Sequence, residues 1–517
     1  MKSGLRKVYT SSEQIKRGAL MSYIGLGFSI LSGLIYTPWM VRQIGQADYG
    51  LYTLSVSLIS FFAMDFGLGS AVSRFLSKYR AVDDKDGERK FLGITFKLFA
   101  FITFAIFLTL VIIYFLIENI YVELTPPEIE KLKVIYVISG LFTIISFPFN
   151  PFDGILIAYE RFAFLKFLDL LHKFSTVLLL VIALFLGYGL YAIVMVNAFV
   201  GLIKLVIKYI YIRKNIQTGV ELGYRNKSLY GEIFKFSAWT TVILVGQRFI
   251  LNITPTILGA FAGSIHIAIF SVGMTIEGYT FMIAYALNGL FLPKVTKILE
   301  KNINSHIEIE DLLIKVGRIQ LLVIGYILSV FVSLGHDFVA LWMGNNFINS
   351  YYVALLLITP SIIILTQEIA NTALIAKNEI KYRAVSTVVV AVISVALSLY
   401  LSPKYGAIGS AAAVFTGNII GLVIFMNLIY QKILGINILR FIKECHFKMI
   451  LPIGLTALIG FSTQIVIPGK GWIFFISKLI ITSLSYAILM WLISFNVFEK
   501  KLFIDYYNKI NRKHINN

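Results

Sequence analysis

A single cysteine, Cys445, stands among 517 residues, so no internal disulfide can form. It lies in a basic segment beside Lys443 and Lys448 with no companion Cys or His cluster, which argues against a thiolate metal site or a redox pair. Charge is scarce as well. Only 14% of the residues are Asp, Glu, Lys or Arg, against roughly 25% in a soluble globular chain. No polar stretch is long enough to fold as a separate water-soluble domain. The opening residues MKSGLRKVYTSSEQIKR lack the short apolar core of a secretory signal, so this segment is expected to stay with the mature chain. No metal-binding or nucleotide-binding motif appears, and no cofactor is expected.

Apolar side chains fill the space left by charge. They make up 58% of the sequence, the mean hydropathy is +0.82, and runs of about 20 apolar residues, enough to cross a bilayer as helix, recur from end to end. The expected fold class is an all-α polytopic membrane protein of about 14 transmembrane helices. The spans centre near Ser29, Ile59, Ala105, Ile145, Leu178, Val200, Val245, Gly273, Ile324, Ile362, Val392, Gly417, Leu458 and Ser483. The least regular is the fourth, where Pro148 and Pro151 break helical hydrogen bonds that neighbouring groups must satisfy.

The formal charge of +19 would suggest nucleic acid in a soluble protein, but its distribution follows the spans. Lys2, Arg6, Lys7, Lys16 and Arg17 precede the first span, and Arg74, Lys78, Arg80, Lys85, Arg89 and Lys90 follow the second. Cations recur in the even-numbered connections as far as Arg440, Lys443 and Lys448, and the C-terminus adds Lys500, Lys501, Lys509, Arg512 and Lys513. Odd-numbered connections hold scattered cations such as Arg42, Lys131 and Lys404. By the positive-inside rule both termini are expected in the cytoplasm, and the excess charge reflects topology and contact with anionic membrane lipids.

Internal similarity divides the chain further. Leu156-Ile157-Ala158 recurs as Leu374-Ile375-Ala376, Tyr188-Gly189 as Tyr405-Gly406, and Thr37-Pro38 as Thr254-Pro255, at nearly one offset and at equivalent places in the span order. This predicts a six-helix lobe over 1–215, a second over 216–435, and two additional helices with a cytoplasmic tail over 436–517. Two lobes with the same orientation imply a pseudo-twofold axis along the membrane normal and a cleft between them, the architecture of a transporter.

The run from Gly25 to Tyr79 carries a more specific pattern: Gly45, then Asp48-Tyr49-Gly50-Leu51-Tyr52, then Asp65-Phe66-Gly67, then Arg74. It resembles the polysaccharide-export and oligosaccharide-flippase branch of the multidrug/oligosaccharidyl-lipid/polysaccharide exporter superfamily. The resemblance implies a bacterial inner-membrane protein that flips undecaprenyl-diphosphate-linked oligosaccharide repeat units to the outer leaflet by alternating access, for O-antigen, capsule or a related polymer. It further implies a lipid-linked oligosaccharide as ligand, a proton or sodium ion as coupling ion, and polymerase and export proteins as partners. The uncharged first span, Gly18 to Met40, differs from the arginine-rich first span of the peptidoglycan-precursor flippases.

Charged side chains within spans need a cavity or a partner, since each costs about 2.5–3.5 kcal/mol at mid-bilayer on insertion scales. Arg248, next to Gln247 in the seventh span, is the leading substrate-binding candidate, because a planar guanidinium matches phosphate oxygens in pairs. Lys173, in a cluster with Asp169 one turn earlier and His172, and Arg42, in the first outer turn, are further candidates for the headgroup. Glu277, facing Arg248 as a pairing partner or taking up a coupling proton, Asp65, Glu368 and Asp153 are candidates for coupling or gating. Asp65 has a second reading, as the group that holds the Gly67-Leu68-Gly69 bend. Lys97, Lys204, Lys208 and Arg318 are expected to snorkel to the cytoplasmic interface.

Two other functions compete. A membrane-embedded glycosyltransferase or polymerase should carry acidic catalytic residues on a sizeable outer loop, whereas the outer connections near Glu118–Glu130 and Gly335–Ser350 are short. A small-molecule cation-coupled antiporter should have a small, sealed, acidic site, and a flippase a cationic one open to lipid.

Overall fold

The computed structural model describes residues 11–216, 218–285, 291–301, 305–497, 499–501 and 504. Lys2, Arg6 and Lys7 at one end, and Lys509, Arg512 and Lys513 in the expected tail at the other, lie outside the described residues. Among the described residues there is no strand, and twelve helices are long and apolar enough to cross a membrane. One of the twelve, Lys381–Leu434, has 54 residues, about 80 Å if straight and far more than the roughly 30 Å of a bilayer core. It is broken at Gly406, whose φ of 54° and ψ of −131° lie outside the helical region. Gln46–Phe62 is apolar too but only 17 residues long. The chain forms two compact units, 1–271 with 387–413, and 272–386 with 414–517.

The first unit begins with α1 (Ser11–Ile44) and α2 (Gln46–Phe62). Helix α2 ends at Phe62, and the chain turns through Phe66 and Gly67, both at positive φ, into α3 (Leu68–Ala81). Gly67 sits in the left-handed region that a Cβ disfavours. Asp65 fixes the bend by accepting from the amides of Gly67 at 3.2 Å and Gly69 at 3.1 Å. Helix α4 (Lys85–Ile120) is capped by Asp84, and α5 (Pro126–Ser146) by a capping box of Thr125 and Glu128. After α5 the chain passes through a short 3-10 turn, Phe147–Phe149, into α6 (Pro151–Ala158). The break expected of Pro148 and Pro151 lies there. Helices α7 (Phe162–Phe185), α8 (Gly189–Asn215), α9 (Lys227–Leu251), α10 (Ile253–Phe261) and α11 (Ser264–Tyr285) follow. The last of these runs on into the second unit.

The second unit is organised around the 38-residue helix Ser305–Trp342. Ile309, Leu313 and Leu321 on this helix pack in one apolar cluster with Leu374 of the helix Glu368–Ala376, Met449 of Lys448–Val466 and Tyr486 of Trp472–Leu489. Arg318 does not snorkel as expected. Its side chain is 4% exposed and fully engaged: Nε and Nη2 donate to the Glu499 carboxylate at 2.6 and 2.9 Å. Nη1 donates to the Glu444 carbonyl at 2.8 Å and Nη2 also to that of Ser494 at 2.7 Å. A carboxylate from the end of the chain removes the need to reach water.

Candidate functional site

Two of the helix breaks meet at one place in the first unit. The α2–α3 bend, α3, α6 and α9 enclose a cavity of about 670 Å³ lined by Asp65, Ser70, Ser73, Arg74, Ser77, Asn150, Asp153 and Arg248, with Ala63, Met64, Gly69, Gly154, Ile157 and Leu244 completing the wall. Interrupted helices are where irregular backbone at membrane depth is tolerated, because their free polar groups face a cavity instead of lipid. Gly154 permits the close crossing of α3 and α6: a Cβ there would lie 2.7 Å from Val72 Cγ1 and 2.9 Å from the Gly69 carbonyl oxygen. Helix α9 is held to the bend by Thr241, whose hydroxyl donates to the Phe66 carbonyl at 2.6 Å.

The carboxylates of the cavity already have partners. Asp65 takes the two amides of its own bend, and Asp153 is ion-paired with Lys208 of α8. Arg248 reaches only the Asn252 side chain on its own helix, through a long bond of 3.4 Å. The charged groups on the wall are thus two carboxylates and two guanidiniums, and Asp153 has a further cation, Lys208, beside it. Arginine suits oxyanions of phosphate type because its planar donors engage two oxygens at once. Ser70, Ser73, Ser77 and Asn150 add neutral donors and acceptors of the kind that bind sugar hydroxyls.

The ends of α3 and α6 are clasped together. Arg80 donates to the Ala158 carbonyl, and its guanidinium lies 4.0 Å from the centre of the Tyr159 ring. The Tyr159 hydroxyl donates to Glu88 at 2.9 Å. Burial, followed by the Glu88 carboxylate, pushes the Tyr159 hydroxyl above the ordinary phenol range, so it stays protonated and keeps donating.

Of the residues expected to act, the cavity gathers Arg248, Asp65 and Asp153. Gln247, which precedes Arg248 on α9, is exposed, and Arg42 is exposed near the end of α1. Lys173 on α7 is exposed and donates to the Ser29 hydroxyl of α1 at 2.7 Å. Asp169 does not neutralise it: that carboxylate pairs with Lys204 at 2.7 Å and lies 3.8 Å from Lys166. Lys204 and Lys208 thus find carboxylates, and Lys97 donates to the Tyr224 carbonyl at 2.6 Å, so these lysines are anchored within the protein and not by snorkelling. Glu277 is half-buried in α11, within the second unit. Glu368, also in that unit, accepts from Asn371 at 3.0 Å and lies 3.9 Å from Arg383. The polar stripe of α3 was not among the expected site residues. Its signal is present in the spacing of Ser70, Ser73, Arg74 and Ser77, which lie three or four apart and so share one helix face.

The profile of a family described as polysaccharide biosynthesis protein matches residues 15–296, more than half of the chain. No curated protein sequence matches significantly. Among solved structures, the lipid II flippase MurJ in an inward closed conformation is similar at a TM-score of 0.68 and 15% identity, over 91% of this chain and 97% of that one. An inward-facing multidrug resistance transporter of the MATE family reaches 0.64 at 11% identity, over 83% of this chain and 98% of that one. A MOP-superfamily transporter from Pyrococcus furiosus, described for the reverse polarity of its binding pocket, reaches 0.60 at 13% identity, over 83% and 96%. At such identities the likeness is one of fold: this multi-pass membrane chain has the fold of the multidrug/oligosaccharidyl-lipid/polysaccharide (MOP) transporters.

Proposed function

Because the chain belongs to the polysaccharide biosynthesis protein family, we propose that it is a flippase for undecaprenyl-diphosphate-linked oligosaccharide repeat units, moving them to the outer leaflet by alternating access for an O-antigen-like or capsule-like polymer. The observation that carries this reading is Arg248, a guanidinium on the cavity wall held by one long bond to Asn252, beside carboxylates that are already engaged. In this role Arg248 and Arg74 hold the diphosphate, the serines of α3 and Asn150 hold sugar hydroxyls, and Asp65 and Asp153 set the local field. Lys173, Arg42 and Gln247 are not among the residues lining the cavity, and in this reading they act on the cargo's path to or from it. Glu277 and Glu368 are the candidate coupling groups, with a proton or sodium as the driving ion.

The reading brings the topology with it. It places the protein in a bacterial inner membrane with cytoplasmic termini and fourteen spans, counting the short α2 and two for the stretch broken at Gly406. The lobes are 1–215 and 216–435, with 436–517 appended, and a polymerase and export proteins act downstream. The MATE-like fold keeps a small-molecule antiporter in view. Against it stands the engagement of the cavity's carboxylates, Asp65 by the amides of its own bend and Asp153 by Lys208, since complementarity to an organic cation asks for acid that is not already paired. The deciding experiment is deletion: lipid-linked repeat units should accumulate on the cytoplasmic leaflet. Normal outward movement in a deletion strain with no second flippase would sink the proposal.

A further inference from the structure

A second hollow borders α9, about 550 Å³ in volume and lined entirely by apolar surface. Val242, Val245 and Phe249 form one wall, and Val392, Val395 and Ala396 of the helix Lys381–Asn418 form the other. The two helices meet at Gly246, where a Cβ would lie 2.7 Å from Thr387 Cγ2. Small side chains at Ala391 and Ala396 leave the space between them open. Thr241, the one polar residue of the lining, has its hydroxyl tied to the carbonyls of Phe66 at 2.6 Å and Ser237 at 2.8 Å. The groove faces outward: Val392 is 62% exposed and Leu399 is 48% exposed.

The position of this hollow is what gives it a meaning. Leu244 and Arg248 of α9 line the polar cavity, while Val245 and Phe249, the very next residues, line the apolar groove. Successive residues of a helix point about 100° apart, so the two spaces lie on neighbouring faces of α9, within one helix width of about 10–12 Å. We propose that the groove seats the first isoprene units of the polyprenyl chain whose diphosphate occupies the cavity of Arg74 and Arg248. This rests on the flippase reading. The cargo is one molecule with a doubly charged link at one end of an apolar chain, and α9 presents one surface suited to each part. A methyl-branched chain is broader than a straight acyl chain and fills a wide hollow with fewer gaps, each of which would forfeit dispersion contacts.

Purified full-length protein in phosphatidylethanolamine/phosphatidylglycerol nanodiscs tests the assignment with two probes. One is a polyprenyl diphosphate bearing a diazirine in its second isoprene unit, and the other a water-soluble short-chain probe, a diphosphate sugar with an ethyl group in place of the isoprenes. Photolysis should place adducts on the peptides 241–249 and 388–399. Ala396→Trp and Val392→Trp, which fill the groove, should each cut that adduct by about tenfold and slow flipping. The short-chain probe should still bind these variants as it binds wild type, which also reports that they are folded. Adducts unchanged in both tryptophan variants would overturn the groove. So would equal labelling by a diazirine-bearing phosphatidylglycerol that polyprenyl diphosphate does not displace, since the occupant would then be bulk lipid. Failure of wild type to bind the short-chain probe would overturn the flippase reading itself, and the groove with it.

Discussion

Arg248 and Arg318 are both charged residues in apolar helices, yet their surroundings give them opposite roles. Arg248 has one long bond to its own helix and lies in a cavity, whereas Arg318 is saturated by Glu499 and two carbonyls. Arg248→Ala should therefore weaken binding of a diphosphate sugar by about 10–100-fold, the range for a hydrogen bond to a charged group, and leave thermal stability near wild type. Arg248→Lys should recover part of this, since charge remains but the paired donors are lost. Titration of the short-chain probe measures both. For Arg318 the expectation reverses. Glu499→Ala leaves an uncompensated buried guanidinium and should cost about 3–5 kcal/mol of stability, while the double replacement Arg318→Met with Glu499→Leu should recover most of it. Melting of the detergent-solubilised protein checks the pair. The difference between the two arginines was not legible in the sequence, because the partner of Arg318 lies 181 residues further along the chain.

Among the elements, the interrupted helices matter most. The break before α6 was legible from Pro148 and Pro151, and the α2–α3 bend from Asp65 followed by Gly67, since both are local chemistry. What sequence reading could not supply was that these two breaks meet, as that depends on packing between α3 and α6. The polar stripe of α3 was within reach of a periodicity argument, but in an apolar chain serines at helical spacing read as ordinary packing residues. The Gly154 crossing gives a test. Gly154→Val introduces atoms where Val72 and the Gly69 carbonyl already stand within 3 Å of the Cβ position. It should push α3 from α6, cost about 1–3 kcal/mol as overpacking does, and lower probe affinity even though residue 154 donates no hydrogen bond to cargo. Gly154→Ala should be milder in both measurements, and an affinity that holds while stability falls would uncouple the crossing from the cavity.

Across the whole molecule, composition and charge pattern sufficed for the all-helical membrane class, because a bilayer imposes span length and satisfied backbone on any chain. Orientation is testable directly. Val82 is 73% exposed between α3 and α4, and Val122 is 70% exposed between α4 and α5. With Cys445 buried, Val122→Cys should react with an impermeant maleimide on intact cells and Val82→Cys only after permeabilisation. The opposite pattern would reverse the assigned topology. The Arg318–Glu499 pair also sets a schedule for biosynthesis. Ribosomes add roughly 5–20 residues per second, so the guanidinium enters the membrane roughly 10–40 s before its carboxylate has been made. Until residue 499 emerges, every nascent copy carries an unanswered charge in its second unit. A chain stalled or clipped short of that point is chemically distinguishable from a finished one, and membrane proteolysis has a feature by which to select it.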